Sequence, residues 1–177
     1  MMWLGAAQSR DKQAADEHAF TLLIDSHLPG AYRMAYGMLG STANAEDAVQ
    51  EAALRAWRSF GRFRKDAEIR PWLYTIVANE CRSHLRRLRR RNDDGQIGDV
   101  ASQPNFTDPG LTDLRRALDR LPTDQRLLIV LRYYLDLPLQ DVALAMGCAL
   151  GTAKSTLHAA LTQMRLASPD DEGVPER

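Results

Sequence analysis

The chain has 177 residues, 45% of them hydrophobic, which is enough to bury a core and excludes a globally disordered protein. Its two cysteines, Cys81 and Cys148, exclude a disulfide framework and a four-cysteine zinc site. No apolar run approaches the ~18 residues that a membrane span needs, and the N-terminus lacks a signal peptide's basic lead. We therefore expect a cytoplasmic protein with reduced cysteines and no direct membrane insertion.

Charge is segregated along the chain although the formal net charge is zero. The stretch from Arg62 to Arg91 holds ten Lys or Arg and three Asp or Glu, whereas residues 92–110 hold four Asp and no Lys or Arg. The end of the chain after Ala167 is acidic as well. Such segregation predicts one basic surface, and a phosphate backbone responds to that local potential. The alternative interpretation of the basic stretch is a solvated helix face.

The first half has the apolar spacing of helices. One pattern runs from Glu17 to Leu39 and has an irregularity at Leu28–Gly30. Residues 41–44 supply N-cap candidates for a second helix, with Glu46 and Asp47 in its first turn. A loop over residues 61–70 then leads to Pro71, which suits the first position of a third helix.

The second half is also helical and follows a polar, acidic segment, residues 92–112, that breaks all periodicity. Leu127, Leu128, Val130, Leu131 and Tyr134 form one helix face, and two short helices follow around a tight turn, where Ala143 and Gly147 would keep the helices close. The predicted fold is all-α, with two small helical domains joined by a flexible linker, the second a helix-turn-helix (winged-helix-like) DNA-binding domain. The predicted boundaries are an N-terminal extension 1–16, a first domain 17–91, a linker 92–112, a second domain 113–167 and an acidic tail 168–177.

The predicted helix-turn-helix suggests a surface that reads duplex DNA. Its recognition helix would begin near Gly151 and present an outward face comprising Thr152, Lys154, Ser155, His158 and Gln163. The first residues of such a helix meet base edges in the major groove, where Lys can donate to guanine. The alternative is an ordinary helical hairpin.

The helix after Pro71 suggests a second nucleic-acid surface. Polar and basic residues share one of its faces at three- and four-residue spacing: Asn79, Arg82, Ser83, Arg86 and Arg90. The loop before it mixes cations with an aromatic: Arg62, Phe63, Arg64 and Lys65. Such mixtures suit unstacked single strands, where bases stack or enter pockets and cations hold the backbone. We expect Trp57 and Trp72 to be core residues, since a single aromatic is more often core than platform.

Two long segments carry a family resemblance. The segment EDAVQEAALRAWRSFGRFRKDAEIRPWLYTIVANECRSHLRR resembles region two of extracytoplasmic-function sigma factors, and LDRLPTDQRLLIVLRYYLDLPLQDVALAMGCALGTAKSTLHAALTQMR resembles their region four. The resemblance implies an RNA polymerase sigma factor that binds the core enzyme at its clamp helices and flap, recognises promoter DNA and is controlled by an anti-sigma factor. The four histidines show no metal-ligand clustering, and the sequence has no Gly-rich phosphate loop, nucleophile elbow or HExxH motif, so we predict no catalytic residue, cofactor or metal and therefore no enzyme.

The resemblance also implies roles for residues. Asp47, Gln50 and Glu51 match the polymerase-docking surface, whose alternative is a solvated acidic helix start. The minus-ten element, as single-stranded DNA, would be read by the loop residues Arg62, Phe63, Arg64 and Lys65 and by the helix residues Asn79, Arg82, Ser83 and Arg86. The minus-thirty-five element, as duplex, would be read by Thr152, Lys154, Ser155 and His158.

One departure from the family lies on the recognition helix. Family members commonly carry arginines after this point, whereas this chain has Thr156, Ala159 and Ala160. Fewer phosphate contacts predict weaker intrinsic DNA binding. The alternative function is a stand-alone helix-turn-helix regulator, which leaves the DAVQE helix and the Asn79 face unexplained.

Overall fold

A computed structural model describes residues 3–64, 67–93 and 109–167, and side chains within 14–64, 67–91 and 112–166. All regular structure in these ranges is helical, which confirms the predicted all-α fold. The elements are α1 (Trp3–Asp25), α2 (Leu28–Leu39), α3 (Thr42–Phe60), α4 (Ile69–Asp93), α5 (Pro109–Arg120), α6 (Thr123–Ile129), a π-helical turn (Val130–Tyr134), α7 (Leu139–Met146) and α8 (Leu150–Ala167). Lys65, the linker from 94 to 108 and the tail 168–177 lie outside the described residues.

The irregularity expected at Leu28–Gly30 is a break between two helices. Helix α1 is continuous from Trp3, through the segment we predicted as an extension, and ends at Asp25. Helix α2 begins at Leu28 with a proline in its first turn, where the missing N–H would have no helical partner. It ends at Gly40, whose φ of 70° is left-handed and favours glycine.

Helix α3 begins at the first of the predicted N-cap candidates. Its N-cap is Ser41, whose hydroxyl oxygen accepts from the Asn44 N–H at 3.4 Å. Since the helix starts at Thr42, Glu46 and Asp47 fall in its second turn instead of the first. Its inward stripe consists of alanines that allow close helix contact: Ala45, Ala48, Ala52 and Ala56 are all buried. Helices α2 and α4 pack on this stripe.

Helix α4 starts at Ile69, two residues before Pro71, and carries the inward residues Leu73 and Val77. An aromatic chain supports its first turn. Phe20 lies 5.3 Å from Trp57 between ring centroids, and Phe63 lies 4.8 Å from Trp72. Both tryptophans are half-buried against the core, as expected. These rings hold the loop before α4 close to the helix that follows it.

A π-helical turn follows α6 and changes which residues face outward. The Leu135 N–H donates to the Val130 carbonyl oxygen at 3.0 Å, five residues back. The wider turn shifts the side chains that follow from the α-helical register. Tyr134, which periodicity placed on the apolar face, is therefore 51% exposed, and Tyr133 is exposed beside it.

The predicted helix-turn-helix is confirmed as α7, a turn over 147–149, and α8. Gly147 ends α7 with a φ of 68°, and the Cys148 N–H donates to the Ala143 carbonyl oxygen at 3.0 Å. A Cβ on Gly147 would meet nothing within 4 Å. The expectation that this glycine permits close helix packing is therefore wrong: the left-handed backbone is what requires it.

The two halves pack against each other over a common core. Buried side chains of α2 and α4, such as Met34 and Leu73, belong to the same apolar cluster as Leu131 and Val142 of the second half. Helix α4 contacts α7, and α2 contacts the π-helical turn. A separate small cluster, Leu121, Ile129 and Ala160, joins the helices of the second half.

Candidate nucleic-acid and polymerase interfaces

The predicted single-strand face on α4 is assembled, but part of it is already paired. Asn79 and Arg86 are exposed, while Arg82 and Ser83 are half-buried. Arg82 donates from Nε to the Asp124 carboxylate at 2.9 Å and from Nη1 to Asn79 Oδ1 at 3.2 Å. Since Asp124 belongs to α6, the central arginine of this face is paired with a residue of the second half.

The opposite side of α4 fixes the rotation of the helix. Glu80 is 2% exposed and forms an ion pair with Arg55 of α3 at 2.6 Å. Cys81 beside it is a buried free thiol, and burial raises its pKa to about 12. With these two residues inward, Asn79 and Arg86 must point away from the core.

The loop before α4 has exposed cationic side chains and one aromatic side chain that packs against the protein. Arg62 and Arg64 are exposed, as a backbone-binding surface requires. Phe63 is half-buried instead, stacked near Phe60 at 6.2 Å as well as against Trp72. Its ring therefore packs within the protein's own aromatic chain, and only its remaining exposed part could meet a base.

The predicted duplex-reading face on α8 is exposed along its length. Thr152, Lys154, Ser155 and His158 are all exposed, and the Ser155 hydroxyl donates to the Thr152 carbonyl oxygen at 2.9 Å. Ala153 and Leu157 turn inward as expected. Ala159 is exposed, whereas Ala160 is completely buried between α5 and α6 residues. An arginine at position 160 could not reach DNA in this chain, so only Thr156 and Ala159 account for the missing cations.

The predicted docking face on α3 forms one exposed strip. Asp47, Gln50 and Glu51 are all exposed, on the side of α3 away from its alanine stripe. Leu54 continues the strip one turn on and is 50% exposed, and the predicted docking face did not include it. Its spacing of four residues from Gln50 and three from Glu51 is the sequence signal that places it on the same side. His84 of α4 lies near Asp47, but burial, reinforced by Arg87, lowers the pKa of its imidazole.

An apolar cleft of about 740 Å³ lies where the two halves meet. Its lining comes from α2, α5, α6, the π-helical turn and α8, and includes Tyr36, Leu114, Tyr133, Met164 and Arg165. The exposed tyrosines therefore face a cleft that both halves build. None of the described helices is long and apolar enough to cross a membrane. Within the same residues, no cluster of His, Cys, Asp or Glu could hold a metal ion.

Family models match both halves of the chain. The Sigma-70 region 2 model matches residues 23–91, and the Sigma-70 region 4 model matches residues 111–164. Region 2 followed by region 4, on a fold of helices, defines a sigma factor of the Sigma-70 class.

Individual relatives indicate which family of the Sigma-70 class the chain resembles. The chain is 34% identical over 141 residues to the ECF RNA polymerase sigma factor EcfG of Rhodopseudomonas palustris, covering 77% of this chain and 78% of that protein. It is 35% identical over 156 residues to the ECF RNA polymerase sigma factor SigM of Mycobacterium tuberculosis, covering 87% and 78%. The solved sigma factor RpoE of Bartonella quintana, in complex with the anti-sigma factor NepR, superposes with a TM-score of 0.70 at 28% identity, covering 87% of this chain and 99% of that chain.

The chain belongs to the extracytoplasmic-function (ECF) family of RNA polymerase sigma factors. Its function is accordingly to bind RNA polymerase core and direct it to promoter DNA, which confirms the prediction from the sequence. Members of this family are transcription initiation factors. The stand-alone regulator leaves the region 2 match over residues 23–91 without an explanation.

Proposed function

We propose that this sigma factor divides its work among three surfaces. The α3 strip of Asp47, Gln50, Glu51 and Leu54 would bind the polymerase core. The α4 face and the preceding loop would read the minus-ten element as a single strand. The start of α8 would read the minus-thirty-five element as duplex. The observation that carries the proposal is the α4 face, where one amide and several cations share one side of a helix whose buried Glu80 pairs with Arg55 of α3.

The α4 residues have the chemistry that reading a single strand requires. The Asn79 side chain carries both a donor and an acceptor, so it can discriminate bases, whereas Arg82 and Arg86 supply charge for phosphates. Arg62 and Arg64 extend this charge into the loop before the helix. Rings of the aromatic chain hold that loop against α4, so the protein pays less conformational entropy when DNA binds.

The α3 strip suits a protein partner better than DNA. It has two carboxylates, one amide and an exposed leucine. A polar rim beside an apolar contact is common in protein interfaces. A DNA backbone would be repelled by Asp47 and Glu51. We infer that this strip contacts a basic surface of the polymerase core.

We also infer that the protein works in the cytoplasm, where RNA polymerase is found, and performs no catalysis of its own. An anti-sigma factor is the expected regulator, since the solved relative from Bartonella quintana is bound to one. This regulator would act by withholding one or more of the three surfaces from polymerase or DNA.

The experiment that tests the core-binding surface is a double charge reversal, Gln50→Lys with Glu51→Lys. Both side chains are exposed, so folding should be little affected, and circular dichroism should remain helical. Capture of core polymerase should fall at least about tenfold, since like charges placed opposite each other cost several kcal/mol. The matched control is Ala15→Lys with Asp16→Lys, an exposed pair on α1 outside the strip that gives the same change of charge. Undiminished capture by the α3 variant would contradict the assignment.

A further inference from the structure

Two side chains on the α4 face contact each other. Asn79 and Arg82 are three residues apart in the helix, so they are neighbours on one of its sides. The Arg82 Nη1 donates to the Asn79 Oδ1 at 3.2 Å. Side chains of a helix lean towards its N-terminus, which brings Arg82 over the turn that carries Asn79. Both residues belong to α4, so this contact is made within one helix.

The chemistry of the guanidinium determines which end of the amide it contacts. Arginine carries five N–H donors and no acceptor, whereas an asparagine amide has an acceptor oxygen at one end and an NH2 donor group at the other. The atom of Asn79 that Arg82 contacts must therefore be the oxygen, because a flipped amide would place two donors together. The Nδ2 group then points away from Arg82, and since Asn79 is exposed, this donor is accessible to a ligand.

Arg82 is itself held in place, unlike the next arginine on the same face. Its side chain is only 21% exposed, and its Nε donates to the Asp124 carboxylate at 2.9 Å. Nε is a different nitrogen from the one that reaches Asn79, so the two contacts do not compete. Arg86, one turn further along α4, is exposed. Burial of its stem restricts the rotamers of Arg82, which gives the guanidinium a defined place beside Asn79.

We propose that Arg82 is a positioning residue for Asn79: it holds the amide oxygen so that Nδ2 faces the base that Asn79 reads. This inference rests on the proposed function of α4 as the reader of the single strand. An amide fixed in one orientation favours a base edge with an acceptor opposite Nδ2. An amide free to turn would have to be ordered on binding, and it could also offer its oxygen to a base edge that carries a donor. Arg82 therefore contributes to base selection in addition to charge.

The order of the amide is tested in the full-length chain without DNA. The proton–nitrogen heteronuclear NOE of the Asn79 side-chain amide reports its motion on the picosecond-to-nanosecond timescale, and the signal is assigned by its absence from Asn79→Ala. Arg82→Met keeps an apolar stem and removes the donors, so the NOE should fall. Arg86→Met is the matched control: it removes the same charge from the same face and should leave the NOE unchanged.

Base selection is tested with core polymerase on pre-melted templates that carry each of the four bases at every minus-ten position in turn. The position at which Asn79→Ala loses discrimination identifies the base that Asn79 reads. At that position, Arg82→Met should lower the ratio of the weakest to the tightest Kd by about two- to tenfold, the range expected when one side chain is ordered during binding instead of beforehand. Arg86→Met should weaken binding to all four templates equally, because phosphate contacts carry no sequence information.

Two further variants separate positioning from a loss of charge or packing. In the Asn79→Ala background, Arg82→Met should reduce discrimination at that position no further, because the amide that Arg82 holds is gone. Arg82→Lys should recover most of the discrimination that Arg82→Met loses, since an ammonium group also donates without accepting and can hold the same oxygen.

Two results would overturn the proposal. One is an unchanged NOE of the Asn79 amide in Arg82→Met. The other is a loss of affinity in Arg82→Met that is equal for all four bases, as in Arg86→Met, which would make Arg82 a phosphate contact alone. Failure of the proposed function would look different: Asn79→Ala would then discriminate among the four bases at every position as the parent does. In that case the amide reads no base, and the positioning role is wrong as well.

Discussion

Helices α4 and α8 are the two elements that we assign to DNA reading, and they differ in what surrounds them. The α4 face is rich in arginine, but Asp124 of the other half holds its central cation. The α8 face is exposed but carries only Lys154 as a full cation among its predicted readers. The α4 face thus has several cations, of which the central one is already paired, whereas the α8 face is exposed but has few cations. We therefore expect the isolated chain, which has a formal net charge of zero, to bind DNA weakly.

The largest expected effect comes from supplying α8 with the cation it lacks. Ala159→Arg places an exposed guanidinium on the helix and should strengthen binding of the polymerase complex to duplex promoter DNA. One added phosphate contact should steepen the salt dependence by about 0.9 in log–log slope. Ala160→Arg, one residue on, would force a charge into the Leu121–Ile129 cluster and should destabilise the fold by ~3 kcal/mol or more.

DNA affinity is titrated at a series of salt concentrations to give the salt slope. Urea unfolding of both variants gives the change in the free energy of unfolding. The two variants carry the same substitution at adjacent positions, so any difference between them reports that position 159 is exposed and position 160 is buried. If Ala160→Arg unfolds at the same urea concentration as the parent, the described packing of α8 on α5 and α6 is wrong. An unchanged salt slope in Ala159→Arg would remove that position from the DNA-facing side.

An effect of intermediate size is expected at Asn79. Asn79→Ala removes base hydrogen bonds, and the polymerase complex should lose about 1–3 kcal/mol of discrimination among bubble templates that differ in minus-ten sequence. The side chain is exposed, so stability should barely change. Lys154→Ala is the matched comparison on α8: it should keep bubble discrimination and lose preference for the upstream duplex element.

Competition binding of both variants to pre-melted templates, with core polymerase present, distinguishes the two surfaces. Equal bubble discrimination by Asn79→Ala and the parent would move base reading from α4 to the loop of Arg62 and Arg64. Loss of bubble discrimination in Lys154→Ala would mean that the surfaces do not act separately.

The smallest expected effect is a pH dependence on α4 that arises at His84. Burial and Arg87 lower the pKa of this imidazole in the folded chain below the ordinary value of 6.5, so the unfolded state takes up a proton first as pH falls. The free energy of unfolding should therefore decrease below about pH 6.5. His84→Gln should show a shallower decrease when urea unfolding is followed between pH 7 and 5. An identical slope in both proteins would contradict this assignment.

The spacing of apolar residues determined which segments are helices and which polar residues share a side of each helix. The α4 face and the α8 face could both be predicted, because helical periodicity fixes which residues share a side. The resemblance to sigma factors added their roles, and family models match both halves. The Asn79, Lys154 and Gln50 assignments remain predictions that the experiments above test.

Other features depended on contacts between residues far apart in the chain, which periodicity does not encode. Arg126 is a charged residue, yet it is buried because the end of α2 lies against it. Ala159 and Ala160 look equivalent in sequence, but only packing of α8 against Leu121 and Ile129 decides that one is exposed and the other is not. The π-helical turn likewise exposed a tyrosine that α-periodicity placed inside. The spacing of apolar residues thus determined the helices and which residues share a side. Tertiary packing alone decided which of those residues are exposed.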